Sequence, residues 1–202
     1  PNFDWKKIPL MKKMNHANTI IKDSINPMVF LFSMDPKVLS TNTFSEEELK
    51  SCSAVSYFKN SGWTNNDSNN FENFSAVAYA FAYNLQKELN IPIGIICNAI
   101  GGSPIQSWIS RESMESKHET IDLLNDTHLH PMVDSWVSGR IEKNLDSLKQ
   151  FNIKARHPYD PTMLFDAGIQ PIKNHAIKGV IWYQGESNAD QTALHSKLFK
   201  ML

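Results

Sequence analysis

The sequence predicts an α/β fold, a parallel sheet with helices on both faces, and two observations lead to this class. Residues 91–98 are nearly continuous in β-branched and other apolar side chains, as is typical of a parallel strand that is covered on both faces. A helical pattern over residues 75–89 precedes this strand, and a polar turn follows it. The same succession recurs, with a helix predicted over residues 161–176 and a second buried strand over residues 178–183. Alternation of helices and buried strands is the pattern of α/β folds.

The helix over residues 75–89 has clear limits in the sequence. Asn73 or Ser75 can cap its first turn, and Asn90 and Pro92 stop it. The apolar residues at a spacing of four are expected on its buried face: Val77, Phe81, Leu85 and Leu89.

Shorter patterns predict the remaining elements. Residues 28–32 form an apolar run that fits a buried strand. Residues 60–73 are rich in Asn, Ser and Gly, which favours a surface loop with Trp63 packed against the body. Helices are expected over residues 138–151 and 191–202. In the helix over residues 161–176, the side chains expected to face inward are Leu164, Phe165, Ile169 and Ile172.

Composition limits the kind of protein. The 202 residues carry 20 Lys and Arg against 21 Asp and Glu, and this balance argues against an electrostatic nucleic-acid binder. A chain of this length removes roughly 70% of its unfolded surface from water, which supports one domain over residues 1–202. No window reaches the ~18 continuous apolar residues of a membrane span. Residues 1–5 do not resemble a signal peptide, although neither absence fixes the compartment.

Cysteine and histidine spacing gives no sign of a metal site. Cys52 and Cys97 are the two cysteines, and they can form at most one disulfide. Cys97 lies in an apolar run, which favours a small buried thiol. The seven histidines do not show the helical spacing of a zinc protease, so no metal and no cofactor are expected.

Two polar turns follow the predicted strands and carry the residues that can do chemistry. Ligands of open parallel sheets bind at the carboxyl ends of the strands, so both turns are expected at one rim. Gly101 and Gly102 leave backbone N–H groups open to a ligand, which suits an oxyanion hole, although a glycine turn can also serve only to reverse the chain. The second turn brings an amide, a carboxylate and a hydroxyl together in Gln184, Glu186 and Ser187.

The sequence allows two hypotheses for the role of Ser187. Residues 185–189 are similar to a nucleophile elbow, with a small residue in the last position, so Ser187 could attack an ester with His157, His175 or His195 as its base. Alternatively, Ser187 only caps the helix that follows.

Five blocks of the sequence together resemble the sialate O-acetylesterase family of carbohydrate esterases, with the block at 179–189 (GVIWYQGESNA) the most characteristic. The resemblance covers residues 74–190, and the blocks lie at residues 74–82, 92–96, 101–109, 164–169 and 179–189.

The resemblance implies an SGNH-hydrolase fold, a three-layer α/β/α sandwich, and a serine esterase without metal that removes O-acetyl groups from sialic acid. In such a mechanism a serine attacks the acetyl carbonyl, a histidine accepts its proton, and an acidic residue orients the histidine. By motif, Gly102 and Gln184 would stabilise the oxyanion and Glu186 would support the site. The residues that would contact the acetylated sugar are Gly101, Ser103, Asp166, Ser187 and Asn188.

Two of the family's blocks are absent from this sequence. The nucleophile lies in a Gly-Gln-Ser-Asn-Met block and the histidine in an Asp-x-x-His block, and neither occurs here. The sequence is therefore expected to be a central fragment of an esterase, or a truncated relative, and inactive alone. The family's enzymes are commonly exported or lysosomal, and the same is expected here.

A non-catalytic carbohydrate-binding relative is the other alternative. Exposed aromatic rings can stack on sugars without any nucleophile. The rings that such a protein would use are Trp63, Trp108, Trp182 and Tyr183.

Overall fold

A computed structural model describes residues 26–41, 43–52, 56–59, 61–65, 73–125, 130–146 and 156–202. Expectations for the amino terminus, for most of the 60–73 loop and for the end of the helix over 138–151 lie outside these residues. The chain divides into two compact units, one formed by residues 1–35 and 60–99 and the other by residues 36–59 and 100–202. The prediction of a single domain over residues 1–202 stays a prediction.

The described elements are short, and most of the helices lie in the second unit. The strands are β1 (Val29–Ser33), β2 (Thr64–Asn65) and β3 (Ile93–Cys97). The α-helices are α1 (Glu46–Ser51), α2 (Ala76–Leu89), α3 (Arg111–Glu115), α4 (His118–Asn125), α5 (Ser135–Leu145) and α6 (Thr192–Phe199). Tighter or wider helical turns span Ile105–Trp108, Phe165–Ile169, Gln170–Ile172 and Glu186–Gln191. No helix among the described residues is long and apolar enough to cross a membrane.

The first unit contains a sheet in the order β2-β1-β3. β1 and β3 are parallel, with Val29 opposite Ile93 and Ser33 opposite Cys97, whereas β2 is antiparallel to β1. The predicted strands at 28–32 and 91–98 are therefore confirmed, and so is the parallel pairing expected of the strand at 91–98. Residues 76–89 supply the connecting helix that a parallel pair requires.

Helix α2 begins and ends where the sequence predicts. The Ser75 hydroxyl accepts a hydrogen bond from the Ala78 N–H at 3.4 Å, which caps the first turn. Asn90 adopts a left-handed conformation (φ 52°), and its N–H donates to the Gln86 carbonyl at 2.8 Å. This is a common way to end a helix.

The buried face predicted for α2 is wrong. Val77, Phe81 and Leu89 are each about half exposed. The face that packs in the core of the first unit is formed by Ala76, Tyr79, Ala82 and Tyr83. Both the predicted and the observed face of α2 are apolar, so the spacing of apolar residues could not choose between them. The face that combines alanines with tyrosine rings is the one that packs on the sheet.

Strand β3 is less covered than its composition suggests. Ile95 is its buried residue, whereas Cys97 is half buried. Trp63 lies over Gly94, where a Cβ atom would stand 3.0 Å from the indole, and it contacts Phe32 edge to face at 5.4 Å. Trp63 is thus packed against the body as predicted, but coverage of both faces of β3 is not observed.

The second unit has a core built from helices and long connections. Its helix α5 overlaps the predicted helix over 138–151 but begins three residues earlier, and α6 matches the helix predicted over 191–202. The largest fully buried side chains of this unit are Phe44, Leu49, Tyr57, Ile105, Ile109, Met114, Leu123, Ile141, Met163 and Leu164.

The predicted helix over 161–176 is interrupted and is not a regular α-helix. A π-helical turn over Phe165–Ile169 runs directly into a 3₁₀ turn over Gln170–Ile172. Pro171 lies in the 3₁₀ turn, and its missing N–H prevents the regular helical ladder from continuing. Of the predicted inward side chains, Leu164 is buried, and the other three are half buried.

The predicted strand over residues 178–183 is wrong. Val180, Ile181 and Tyr183 are 75%, 53% and 66% exposed, and the segment has no regular secondary structure. A strand needs a hydrogen-bonded neighbour, and within the described part of the second unit no multi-residue strand pairs with this segment. Only Trp182 is held inward, where it meets Trp108 edge to face at 6.2 Å.

Neither cysteine forms a disulfide, and the Cys52 thiol is protected. Cys52 is buried at the end of α1, and burial together with the Glu48 carboxylate raises its pKa to about 12.

We expect a Cys97→Ser variant to show no reaction of Cys52 with a disulfide reagent at pH 8 while folded, because the raised pKa lowers the thiolate fraction about a thousandfold. One thiol equivalent should appear in denaturant. Rapid labelling of the folded variant would contradict the burial of Cys52.

Candidate active site

The first polar turn is built around a glycine that no other residue can replace without strain. Gly102 has a φ of 77°, in the left-handed region, and the Ser103 N–H closes the turn on the Ile100 carbonyl at 3.2 Å. A Cβ atom at Gly102 would lie 2.4 Å from the Tyr159 hydroxyl oxygen. Both the backbone conformation and this contact therefore require glycine.

Tyr159 holds the glycine turn in place. Its hydroxyl donates to the Gly101 carbonyl at 2.8 Å and lies 3.0 Å from the Ser40 hydroxyl. Burial raises the pKa of Tyr159, and the Ser40 hydrogen bond and the Arg140 charge oppose that rise. The phenol therefore stays protonated and remains a donor to the turn.

The Gly102 N–H is open. No acceptor for it is found among the described residues, whereas the neighbouring Ser103 N–H is already used in the turn. A backbone N–H that is held rigidly and left without an internal partner is suited to bind an anion or a developing oxyanion.

Ser103 is used internally. Its hydroxyl donates to the Ile100 carbonyl at 2.8 Å and accepts from the Trp108 indole N–H at 2.9 Å, and the residue is buried. These contacts give Ser103 a structural role in the turn. The predicted contact of Ser103 with substrate stays a prediction.

The second polar turn meets the first through the Gln184 and Asn188 side chains. The Gln184 amide nitrogen donates to the Ser103 carbonyl at 3.2 Å and to the Asn188 carboxamide oxygen at 3.0 Å. The same Asn188 oxygen accepts from the Ile105 N–H at 2.9 Å, and the Asn188 amide nitrogen donates to the Gln106 side chain at 3.1 Å. The predicted convergence of the two turns is therefore confirmed.

Gln184 has both of its N–H groups engaged in this arrangement. Its carboxamide oxygen is buried and has no partner within the described residues. For Gln184 to donate to an oxyanion, its amide must exchange one of two protein acceptors, Ser103 or Asn188, for the substrate. The two contacts also fix where the amide lies, beside the glycine turn.

The carboxylate and the hydroxyl of the second turn have different surroundings. Glu186 is exposed, and no ion pair or hydrogen bond to it is found in the described part of the chain. Ser187 is buried inside the 3₁₀ turn Glu186–Gln191, and the cap of α6 is Gln191. The interpretation of Ser187 as a helix cap is therefore wrong.

The histidines offered as a base for Ser187 do not reach it. His157 is fully buried, accepts from the Tyr159 N–H at 3.0 Å and pairs with the Asn144 carboxamide oxygen at 3.2 Å, so both ring nitrogens are used. His175 is exposed and His195 is half buried. Within the described residues, no hydrogen bond joins a histidine to Ser187.

Asp166 lies in an ion pair. Its carboxylate accepts from the Arg156 guanidinium at 2.9 Å, and Arg156 also donates to the Thr162 hydroxyl at 2.8 Å. Thr162 has a left-handed backbone (φ 65°), which is rare for a β-branched residue, and its N–H donates to the Gln106 carbonyl at 3.0 Å. The cluster is thus joined to Gln106, whose side chain accepts a hydrogen bond from Asn188 of the second turn. Substrate contact by Asp166 stays a prediction.

Sequence reasoning missed the aromatic and acidic side chains that surround the two turns. Tyr159 and Trp136 pack on Gly102, and the Asp134 carboxylate at the start of α5 accepts a hydrogen bond from the Asp190 backbone N–H of the second turn. No motif marks these residues, since each comes from a segment with ordinary polar composition. Among the described residues, no cluster of three His, Cys, Asp or Glu side chains could hold a metal ion.

Comparison with known proteins confirms the predicted resemblance to the sialate O-acetylesterase family. Sialate O-acetylesterases from Pongo abelii and Homo sapiens are each 31% identical to this chain over 180 residues, which is 82% of this chain and 28% of theirs. The enzyme of Mus musculus is 32% identical over 124 residues. This chain thus spans about a quarter of the length of the curated relatives that it matches. No family model matches it.

A solved structure shows the same fold. The crystal structure of a carbohydrate acetylesterase from Xanthomonas citri superposes with a TM-score of 0.55 and 22% sequence identity. The match covers 98% of this chain and 33% of that protein. The mixed α/β architecture is therefore shared with that protein.

Gly102→Ala should destabilise the protein by roughly 2–4 kcal/mol, because the variant combines a left-handed backbone with a clash against Tyr159. Gly101→Ala is the matched control, since a Cβ atom there meets nothing within 4 Å. Urea unfolding of the two variants measures the difference. Equal stability of the two would contradict the described turn.

Asp134→Asn should stabilise the protein at pH 7. Burial is the main cause that raises the pKa of Asp134, and the nearby Asp190 charge adds to it. The fold therefore favours the protonated form of Asp134. The stability that this group supplies is present below about pH 4 and is lost as the pH rises through the raised pKa. Thermal midpoints should therefore be higher for the variant at pH 7 and equal to wild type in acid. The exposed Asp122→Asn is the control, and a lower midpoint at pH 7 for Asp134→Asn would refute the argument.

Proposed function

We propose that the protein to which these residues belong is a carbohydrate acetylesterase that removes O-acetyl groups from sialic acid by a serine-hydrolase mechanism. These residues supply the oxyanion and substrate side of its site. Relatives named sialate O-acetylesterase and a structural neighbour named carbohydrate acetylesterase support this reaction class. The fold proposed for the whole domain is the three-layer α/β/α sandwich of SGNH hydrolases.

The observation that carries the proposal is the meeting of the two turns. An open N–H at Gly102 lies on the turn whose Ser103 carbonyl is hydrogen bonded to the Gln184 amide at 3.2 Å. Ester hydrolysis needs donors that are already in place where negative charge develops. A glycine turn packed against Tyr159, next to an amide whose place is fixed by two hydrogen bonds, is such an arrangement.

The chemistry would run through an acyl intermediate. A serine oxygen attacks the acetyl carbonyl carbon while a histidine takes the serine proton, and the carbonyl oxygen becomes an oxyanion bound by the Gly102 N–H and the Gln184 amide. The carbon–oxygen bond to the sugar then breaks, and the histidine returns the proton to the sugar oxygen. Water repeats the attack on the acetyl-serine and releases acetate.

The serine and histidine of this scheme belong to sequence blocks that are not among these 202 residues. The exposed Glu186 carboxylate, at the start of the second turn, is proposed to support the site and to orient the histidine. Gly101, Ser103, Asp166, Ser187 and Asn188 keep their proposed place on the substrate side. An exported or lysosomal location is proposed from the resemblance alone.

Gln184→Ala should lower the rate of acetyl-ester hydrolysis by about 10²-fold or more, because it removes one oxyanion donor. The assay uses the complete gene product and an O-acetylated sialic acid, with acetate release as the readout. Gln170→Ala, an exposed glutamine of the same unit, is the control and should leave the rate unchanged. A Gln184→Ala enzyme with the wild-type rate would remove Gln184 from the oxyanion role.

The 202-residue chain by itself should show no ordinary esterase turnover, because the family's nucleophile block is absent from it. A fluorophosphonate that labels activated serines should leave it unmodified. Labelling at Ser187 would instead favour a self-contained hydrolase.

A further inference from the structure

Trp136 is a large aromatic side chain that the fold leaves open beside the glycine turn. It lies in the first turn of α5 and is 42% exposed, whereas its neighbours Val137 and Ile141 on the same helix are fully buried. An exposed apolar surface of this size beside a polar cleft often marks a binding site. Because the ring lies next to the glycine turn, a molecule bound on it would also lie next to the candidate oxyanion site.

The indole is held by the glycine turn itself. Its outer ring lies 3.4 Å from the place where a Cβ atom of Gly102 would be, and its ring meets Tyr159 nearly at right angles, with centroids 6.2 Å apart. A perpendicular contact fixes the indole without stacking a second ring flat on it. Because Tyr159 also binds the Gly101 carbonyl, the turn and the indole form one packed group.

The start of α5 is also tied to the second turn. Asp134, the residue that precedes the helix, is buried, and its carboxylate accepts a hydrogen bond from the Asp190 backbone N–H. The segment that carries Trp136 is therefore anchored on one side to the glycine turn and on the other to the turn of Gln184 and Asn188. An exposed ring on a backbone segment anchored at both sides, and itself packed on Tyr159, loses little conformational freedom when a ligand binds it.

We propose that Trp136 is the sugar-stacking residue of this site, an indole platform for the pyranose ring whose acetyl ester is presented to the Gly102 N–H. The ring C–H groups of a pyranose form an apolar, slightly positive face, which complements the negative face of an indole. A sugar ester carries its ring only a few bonds from the carbonyl, so a carbonyl at Gly102 brings the ring to Trp136. This inference rests on the proposed function and adds the residue that holds the sugar.

Binding can be measured without hydrolysis. The chain is labelled with ¹⁵N-tryptophan, and its five indole N–H signals are assigned with single Trp→Phe variants. The methyl α-glycoside of N-acetylneuraminic acid, which carries no acetyl ester, is then titrated. We expect a saturable shift of the Trp136 signal. Trp136→Ala should weaken binding about tenfold, which is ~1.4 kcal/mol, whereas Trp136→Phe should keep most of it because a ring remains.

Trp63→Ala is the matched control, since Trp63 is equally exposed at 46% and packs on Phe32 in the first unit. It should bind the glycoside as wild type does, and unchanged circular dichroism shows that each variant is folded. Absence of glycoside binding by the wild-type chain, or binding that survives Trp136→Ala, would overturn the inference.

The outcome is separate from that of the esterase assay. If the complete gene product releases no acetate but the glycoside binds through Trp136, the proposed function fails and the platform stands. If acetate is released and Trp136→Ala alters neither binding nor KM, the proposed function stands and the Trp136 platform fails.

Discussion

The site depends on one buried carboxamide. Asn188, which is 3% exposed, receives the Ile105 N–H and the Gln184 amide on its oxygen and gives its own N–H to Gln106. Each of these groups would cost about 1–3 kcal/mol if left buried without a partner. A single side chain therefore fixes the distance between two turns that are far apart in sequence, and so sets where the Gln184 amide lies relative to the glycine turn.

The glycine turn adds a second constraint, which is the close packing of Tyr159 against Gly102. Tyr159 occupies the space that a side chain at Gly102 would need, and it does so while hydrogen bonded to the Gly101 carbonyl. The turn is consequently rigid before any substrate arrives. Rigid donors do not have to reorganise when charge develops, and this is the main physical advantage of such a site over water.

Sequence patterns predicted the features of the fold that depend on residues close together in the sequence. The cap of α2 at Ser75 and its left-handed end at Asn90 follow from side chains within a few residues, and the apolar runs of β1 and β3 identify each as a strand. The patterns failed where a choice depends on distant partners. Residues 178–183 have the composition of a buried strand, but a strand forms only against a neighbour, and composition does not supply one. The two turns do meet, although the strand predicted before the second turn is not observed. Trp136 and Tyr159 reach the site through tertiary packing that no motif records.

The open segment around Val180 and Tyr183 has a consequence for handling the molecule. Apolar side chains in solvent, on a backbone free to accept a pairing strand, attract other extended chains. These exposed apolar side chains therefore favour self-association of the purified polypeptide at high concentration.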